Sequence, residues 1–327
     1  MKDEKLVDLG GFSKEMMKQF SRQKRLIHAP RARDLFRGKI EESAVLMLSD
    51  IHCGQVNKFL EPETGKMVTT YDIDKTIDEF DRLLDGVCTI NQLLSANYQI
   101  DKLYIFGLGD YLEGDIIFEG QRFFISEGVG AQLVTLVGIM TNFINELLKT
   151  YKEIEFICIS GNHGRFGRKR EAAPTSNTFD YLMGKWLETV FKDEPRVKIV
   201  VPESWYYLAK IYNWRYLLHH GDTVYSWMSL PYYGLKRQGT ARRIEIPHNM
   251  ECIGHFHQKM EIPISSKSLT LVNGGWIEKS DFGWRKFGIL SYPEQYYFGV
   301  SPKRSRSWCF GIDLLHQKHE LKDLGGK

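Results

Sequence analysis

Short apolar runs that stop at glycine and polar side chains recur along much of the chain. Ala44-Val45-Leu46-Met47-Leu48, Leu103-Tyr104-Ile105-Phe106 and Ile154-Glu155-Phe156-Ile157-Cys158-Ile159 read as buried strands. Between the first two, Ile73, Ile77, Phe80 and Leu84 recur at helical spacing within Asp72–Leu84, with acids early in the segment. Leu133, Val137, Met140, Ile144 and Leu147 give a second amphipathic helix, and Thr178–Phe191 a third. Helical patterning then fades into strand-like runs at Lys198–Val201, Tyr206–Ile211, Tyr216–Leu218, Glu251–Ile253, Lys259–Ile264 and Leu269–Val272. Alternating strands and helices followed mostly by strands imply an α/β chain of two mixed sheets packed together, with helices outside.

Polar residues collect where these strands stop, the place where open α/β sheets put their ligands. The first run ends in Ser49-Asp50-Ile51-His52, the second in Gly109-Asp110 and the third in Gly161-Asn162-His163. Two later runs end in His219-His220-Gly221 and Gly254-His255-Phe256-His257. On an extended backbone, residues two apart face the same way, so Asp50 pairs with His52, and His255 with His257. Asp110 has two carboxylate oxygens and can bridge two ions; Asn162 offers an amide oxygen. One such histidine alone reads as a cap or a core residue. Five polar strand ends with the same ligand chemistry read as a metal site.

Composition changes this picture little. The chain has 327 residues, 43% hydrophobic and 26% charged, which is ordinary globular usage. The five cysteines are scattered and lie mostly in apolar runs, so buried thiols are expected rather than a disulfide framework. A start without a basic-then-apolar leader, and no apolar run of membrane-spanning length, lead to an expected cytoplasmic location. The net charge of +3 is small, but its distribution is uneven. Arg165, Arg168, Lys169 and Arg170 follow the Asn162-His163 loop, and Tyr232, Tyr233, Lys236 and Arg237 follow the His220 loop. Cations and aromatic faces beside a metal site suit a phosphate backbone and unpaired bases, so nucleic acid is the expected partner.

Taken together, Asp50-x-His52, Gly109-Asp110, Gly161-Asn162-His163, His220-Gly221 and Gly254-His255-x-His257 resemble the five ordered motifs of the calcineurin-like metallophosphoesterases. More narrowly, Gly161-Asn162-His163-Gly164-Arg165, His220-Gly221-Asp222, Pro231-Tyr232-Tyr233-Gly234 and Asn273-Gly274-Gly275-Trp276 resemble phage and prophage phosphoesterases of the repair-exonuclease type. The resemblance implies a four-layer sandwich, two mixed sheets flanked by helices, with a dinuclear site at the strand ends. Carried over by position, Asp50, His52 and His257 hold one metal, Asn162, His220 and His255 the other, and Asp110 both. His163 matches the histidine near the leaving oxygen, and Glu113 resembles the acid that orients it in the phosphoprotein phosphatase branch. His219 precedes the matching position and is expected to point away. The expected domains are a basic arm or appended helix at 1–39, with a helix around Lys14–Gln23, a catalytic domain at 40–290, and a C-terminal extension at 291–327 packed on the domain, with a frayed end.

The expected activity is hydrolysis of a phosphoester by in-line attack of a water that two divalent ions, about 3.5–4 Å apart, acidify between them. Carboxylate, amide and imidazole ligands without thiolate suit Mn²⁺, Fe, Zn²⁺ or Ni²⁺, and family usage favours Mn²⁺. A nuclease or phosphodiesterase on DNA or RNA is the first expectation. A phosphatase or phosphodiesterase for nucleotides or phosphoproteins is the second, and an inactive nucleic-acid-binding subunit the third. The expected substrate-binding residues are Arg165, Arg168, Tyr232, Tyr233, Lys236 and Arg237.

Overall fold

Strand β1 (Ile40–Leu48) is buried from its third residue to its last, because both faces of the sheet it lies in are covered. The computed structural model describes residues 39–167, 174–226, 231–278 and 292–315. The predicted helix at Lys14–Gln23, nearly all of the basic arm, and Arg168, Lys169 and Arg170 fall outside them. After β1 come the hairpin β2 (Asn57–Leu60) and β3 (Met67–Tyr71), helix α1 (Ile73–Leu94), β4 (Tyr98–Gly107), α2 (Val129–Leu147), β5 (Glu153–Cys158), α3 (Phe179–Val190) and β6 (Val197–Val200). The second half holds β7 (Tyr206–Ile211), β8 (Trp214–His219), α4 (Tyr232–Glu245), β9 (Met250–Ile253), β10 (Met260–Ser265), β11 (Ser268–Val272), β12 (Glu294–Val300) and β13 (Cys309–Asp313).

The strands form a six-stranded sheet of order β13-β12-β1-β4-β5-β6 and a five-stranded sheet of order β10-β11-β9-β8-β7. Both are mixed: β4, β5 and β6 run parallel while β12 is antiparallel to β1 and β13. In the second sheet, β8, β9 and β11 are parallel, and β7 and β10 flank them antiparallel. The segment expected to be a C-terminal extension laid on the domain therefore does more than pack there. β12 sits between β13 and β1 as an internal strand of the first sheet.

Burial shows the layers. Val45, Met47, Phe106, Ile157 and Phe298 of the first sheet pack against Ala209, Tyr216, Leu218, Cys252 and Leu271 of the second. On the outer face of the first sheet, Ala44, Leu46, Ile105 and Phe156 meet Phe80 and Leu83 of α1, Leu136 and Met140 of α2, and Met183 and Leu187 of α3. On the outer face of the second, Leu235 of α4 meets Ile253, Ile262 and Val272. The result is helices, sheet, sheet, helix: the four-layer sandwich. Phe298, fully buried between the sheets, anchors it, and truncation to alanine there costs about 3–5 kcal/mol. No helix among the described residues is long and apolar enough to cross a membrane.

Helix α4 lacks the apolar stripe of the other three: only Gly234, Leu235 and Gly239 of it are buried. Its glycines are explained by close approach. A Cβ on Gly234 would collide with the Tyr225 carbonyl, and one on Gly239 would press on the Glu251 carboxylate. Glu251 in turn fastens the helix to the sheet, accepting from Arg242 Nη1 (2.9 Å), His219 Nε2 (2.8 Å) and Thr270 Oγ1 (2.8 Å).

Candidate metal centre

Parallel pairing brings the C-terminal ends of β4 and β5 together, and those of β8 and β9, so five loops meet at one edge of the two sheets. Their backbones are stitched directly. Asp50 N–H donates to the Gly109 carbonyl (3.1 Å), His52 N–H to the Asp110 carbonyl (3.0 Å) and Gly254 N–H to the His220 carbonyl (2.9 Å). Across the sheets, His255 N–H donates to the Asp50 carboxylate (2.9 and 3.0 Å to its two oxygens).

The side chains converge because the backbone leaves the extended region, not because it alternates as a strand. Asp50, His52, Asp110, His255 and His257 all lie beyond their strands and all have positive φ, between 52° and 73°. The only other described non-glycine residue with positive φ is Tyr212. Left-handed backbone costs roughly 1–3 kcal/mol at each such residue and persists where the surroundings enforce it. The expectation of an extended Asp50-x-His52 and His255-x-His257 is thus corrected. Each pair does share a site, through paired left-handed turns.

Three sets of ligand atoms lie within 4.8 Å of one another: Asp50, His52 and His257; His52, Asp110 and His163; and Asp110, His220 and His255. Asp110 belongs to two of them. Its Oδ2 is 3.0 Å from His220 Nε2, and Asn162 Oδ1 is 3.2 Å from the same nitrogen. His255 Nδ1 is 3.3 Å from it. On the other side, His52 Nε2 faces His257 Nε2 at 3.2 Å, and His257 Nε2 is 3.6 Å from Asp50 Oδ1.

Outer contacts fix which ring nitrogen is free. His220 Nδ1 donates to the Leu108 carbonyl (2.7 Å), and His52 Nδ1 to Glu113 Oε2 (2.8 Å), so both turn Nε2 inward. What faces the centre is then carboxylate oxygen, amide oxygen and imidazole nitrogen. That set fits divalent cations. Cys53 lies nearby, but burial pushes its thiol up to about 12, so it supplies no thiolate.

Electrostatics divides the cluster. Burial alone would lower His220, but the Asp110 carboxylate, with Asp50, outweighs it and raises the imidazole to about 10. Burial would likewise lower His163; Glu113 and Asp110 raise it to about 9. His255 and His257 go the other way, to about 3 for His255, because burial is joined by the neighbouring imidazoles His220 and His52. Burial tends to raise Asp110 as well, but His220 and His163 hold it well below the carboxylate range.

His163 was matched in the sequence to the histidine near the leaving oxygen, beside the metal ligands rather than among them. It lies against the ligands, its ring centroid 4.4 Å from that of His52 in an edge-on contact. Nδ1 is committed to the Glu113 carbonyl (2.9 Å) and Glu113 Oε2 (3.2 Å), which leaves Nε2 as its working atom. Glu113 thus reaches both His52 and His163. His219 turns to Glu251 and takes no part.

The expected substrate residues are arranged differently. Arg165 is paired with Asp222 (2.6 Å) and lies over the Trp205 ring (5.2 Å), so it joins the Asn162 and His220 loops rather than presenting a spare cation. Lys236 donates to the Pro263 carbonyl and lies over the Tyr232 ring. Tyr232, Tyr233 and Arg237 are exposed on the first turns of α4. Arg168 is outside the described residues.

Five buried supports were not read as site residues in the sequence. Gln121 donates to both the carbonyl and Oε1 of Glu113 (2.8 Å each). Ser49 Oγ donates to Asp50 Oδ2 (2.6 Å) and accepts from Asn273 Nδ2 (3.0 Å), which is itself held by Gln295 (2.7 Å). Asp180, in the first turn of α3, accepts the backbone N–H of Asp110 (3.1 Å) and of Gly161 (2.7 Å) on one oxygen. An acid in a first helical turn is ordinary, so nothing marks Asp180 along the chain. Ser49 and Asn273 stood within the stretches Ser49-Asp50-Ile51-His52 and Asn273-Gly274-Gly275-Trp276, but neither was given a part in the site.

No family model and no curated protein matches the sequence. Solved structures do resemble it. A dimetal phosphatase from Danio rerio is 10% identical with TM-score 0.38, over 83% of this chain and 99% of that one. Vps29 from Entamoeba histolytica complexed with zinc is 13% identical with TM-score 0.33, over 83% and 99%. A 5'-nucleotidase from Candida albicans is 12% identical with TM-score 0.39, over 85% and 53%. All three TM-scores lie below 0.5, so the functional reading rests on this chain's own residues.

Proposed function

We propose that the protein is a dinuclear-metal-dependent phosphoester hydrolase whose substrate is a phosphodiester of DNA or RNA. The observation that carries the hydrolase reading is the place of Asp110 between the His52 and His220 sides of one ligand cluster. In this reading Asp50, His52 and His257 hold one ion, Asn162, His220 and His255 the other, and Asp110 both. Such a pair supplies Lewis-acid charge to the phosphoryl oxygens and lowers the pKa of a shared water. Mn²⁺ is the ion proposed.

The chain's own residues do the rest. Glu113, held by Gln121, keeps the proton on His163 Nδ1 and favours the charged imidazole. His163 Nε2 is then a proton donor for the leaving oxygen. Exposed Tyr232 and Tyr233 offer faces for unpaired bases, and Arg237 a cation for a backbone phosphate. Arg165 no longer supports that reading, because Asp222 holds it. This pairing is what keeps a phosphatase for nucleotides or phosphoproteins as the second reading.

The test is hydrolysis of bis-p-nitrophenyl phosphate and single-stranded oligonucleotides against mononucleotides and phosphopeptides, in Mn²⁺ and in chelator. Chelator-sensitive cleavage of the diester and the oligonucleotides is expected. Cleavage of monoesters alone would shift the assignment to the second reading, and no hydrolysis with any metal would remove both.

A further inference from the structure

Asp110 carries the heaviest demand in the centre: left-handed backbone, φ 53°, and a carboxylate that serves both sides. Something must hold it there. Its carbonyl is taken by His52 N–H, and its own N–H points away from the other ligands, down to the start of α3. There the Asp180 carboxylate is fully enclosed, and its Oδ2 accepts both Asp110 N–H (3.1 Å) and Gly161 N–H (2.7 Å). Gly161 directly precedes Asn162. One oxygen therefore ties the loop that ends β4 to the loop that ends β5, beneath the ligands that each contributes.

The surroundings are built to admit this acid. A Cβ on Gly164 would fall 2.7 Å from Asp180 Oδ1, and a Cβ on Gly161 would collide with the Asp110 carboxylate. Phe179 N–H donates to the Gly164 carbonyl (2.6 Å), which locks the loop of Asn162 and His163 onto the helix that carries Asp180. Asp180 is not needed to cap its own helix: Thr178 does that through Tyr181 N–H. Its second oxygen, Oδ1, is buried and has no hydrogen-bond partner among the described residues. A buried acid spent on two foreign backbone amides, with one oxygen left unpaired, serves something other than helix stability.

We infer that Asp180 is a positioning residue for the metal centre, fixing the backbones of Asp110 and Asn162 in register so that one carboxylate and one amide oxygen meet the same ion. The inference rests on the metal reading given above. Asp180 touches no ion and no substrate; it acts through the two N–H groups.

The experiment uses the full chain and Mn²⁺ alone. Asp180→Ala removes the acceptor, whereas Asp180→Asn keeps an oxygen that can take both amides. Isothermal titration should show that the alanine variant binds Mn²⁺ about tenfold or more weakly, while the asparagine variant stays close to the parent. Hydrogen exchange in the metal-free proteins should show faster exchange at 107–111 and 159–163 in the alanine variant, with the other segments unchanged. Parental Mn²⁺ affinity in the alanine variant, or equal loss in both variants together with a general rise in exchange, overturns the inference. If the alanine variant does not fold, the asparagine variant decides: near-parental Mn²⁺ affinity supports the inference and a large loss overturns it. Failure of the parent protein to bind Mn²⁺ instead defeats the metal reading, and the exchange data still judge whether Asp180 ties the two loops.

Discussion

His52 and His257 point their Nε2 atoms at each other across 3.2 Å. The Glu113 carboxylate holds the His52 proton on Nδ1, and burial, with the His52 ring, pushes His257 well below the usual histidine range. With the His52 proton held on Nδ1, its Nε2 is free to take a cation, and His257 Nε2 faces the same point. A bound ion therefore favours the folded chain. Saturating Mn²⁺ at about a hundred times its dissociation constant should add about 2.7 kcal/mol, seen as a higher melting temperature that chelator reverses. Identical melting curves with Mn²⁺ and with chelator would remove that stabilisation.

His163 and Asp110 separate chemistry from metal binding. In the proposed centre His163 gives its Nδ1 to Glu113 and is left out of both ion sites, whereas Asp110 would serve both. His163→Ala should keep both ions and lose most turnover, about 100-fold or more, as expected for a lost general acid. Asp110→Ala should lose both. Metal analysis beside kcat distinguishes them, and equal metal loss in the two variants would contradict the role given to His163.

The proton on His220 sets the pH dependence of metal uptake. In the metal-free chain its imidazole is raised to about 10, burial being outweighed by Asp110 and Asp50, so it is protonated at neutral pH. His255 and His257 are lowered and carry no proton to displace. Mn²⁺ binding should therefore release about one proton per chain from this histidine, and affinity should rise with pH through the neutral range. Titration in two buffers of different ionisation enthalpy measures the released proton directly. Affinity that is flat or falls as pH rises would count against the assignment.

Glu251 governs a separate acid response. Burial would raise its carboxyl, but His219 and Arg242 outweigh that and lower it from 4.5 to about 2. A depressed carboxylate contributes stability that is full above its unfolded pKa and is lost as pH falls through its folded one. Glu251→Gln should cost about 3 kcal/mol at neutral pH and almost nothing near pH 2. Urea unfolding at the two pH values checks this, and a cost that does not change with pH would show that the charge is not what matters.

Strands β1 and β4 to β11 and three of the helices were legible because burial on a sheet imposes a period. Tyr206–Ile211 is β7 to the residue, and Thr178 is the N-cap of α3. Helix α4 was not legible, since its contact with the sheet is made by two glycines and Leu235 rather than by an apolar stripe. β12 and β13 were missed as sheet strands because the first sheet recruits them from the far end of the chain, a pairing no local pattern records. At the site, the residues with metal-ligand chemistry could be read from type and order. Their left-handed turns could not, because Asp50, His52 and Asp110 are not residues that force positive φ. Nor could Arg165, whose role changes once Asp222 and Trp205 are known to meet it.

Crystals grown with Mn²⁺ and measured at the manganese absorption edge locate the ions themselves. Two anomalous peaks are expected, one among Asp50, His52 and His257, the other among Asn162, His220 and His255, with the Asp110 carboxylate between them. No peak in this cluster, or a single peak that leaves Asp110 unligated, would contradict the dinuclear centre.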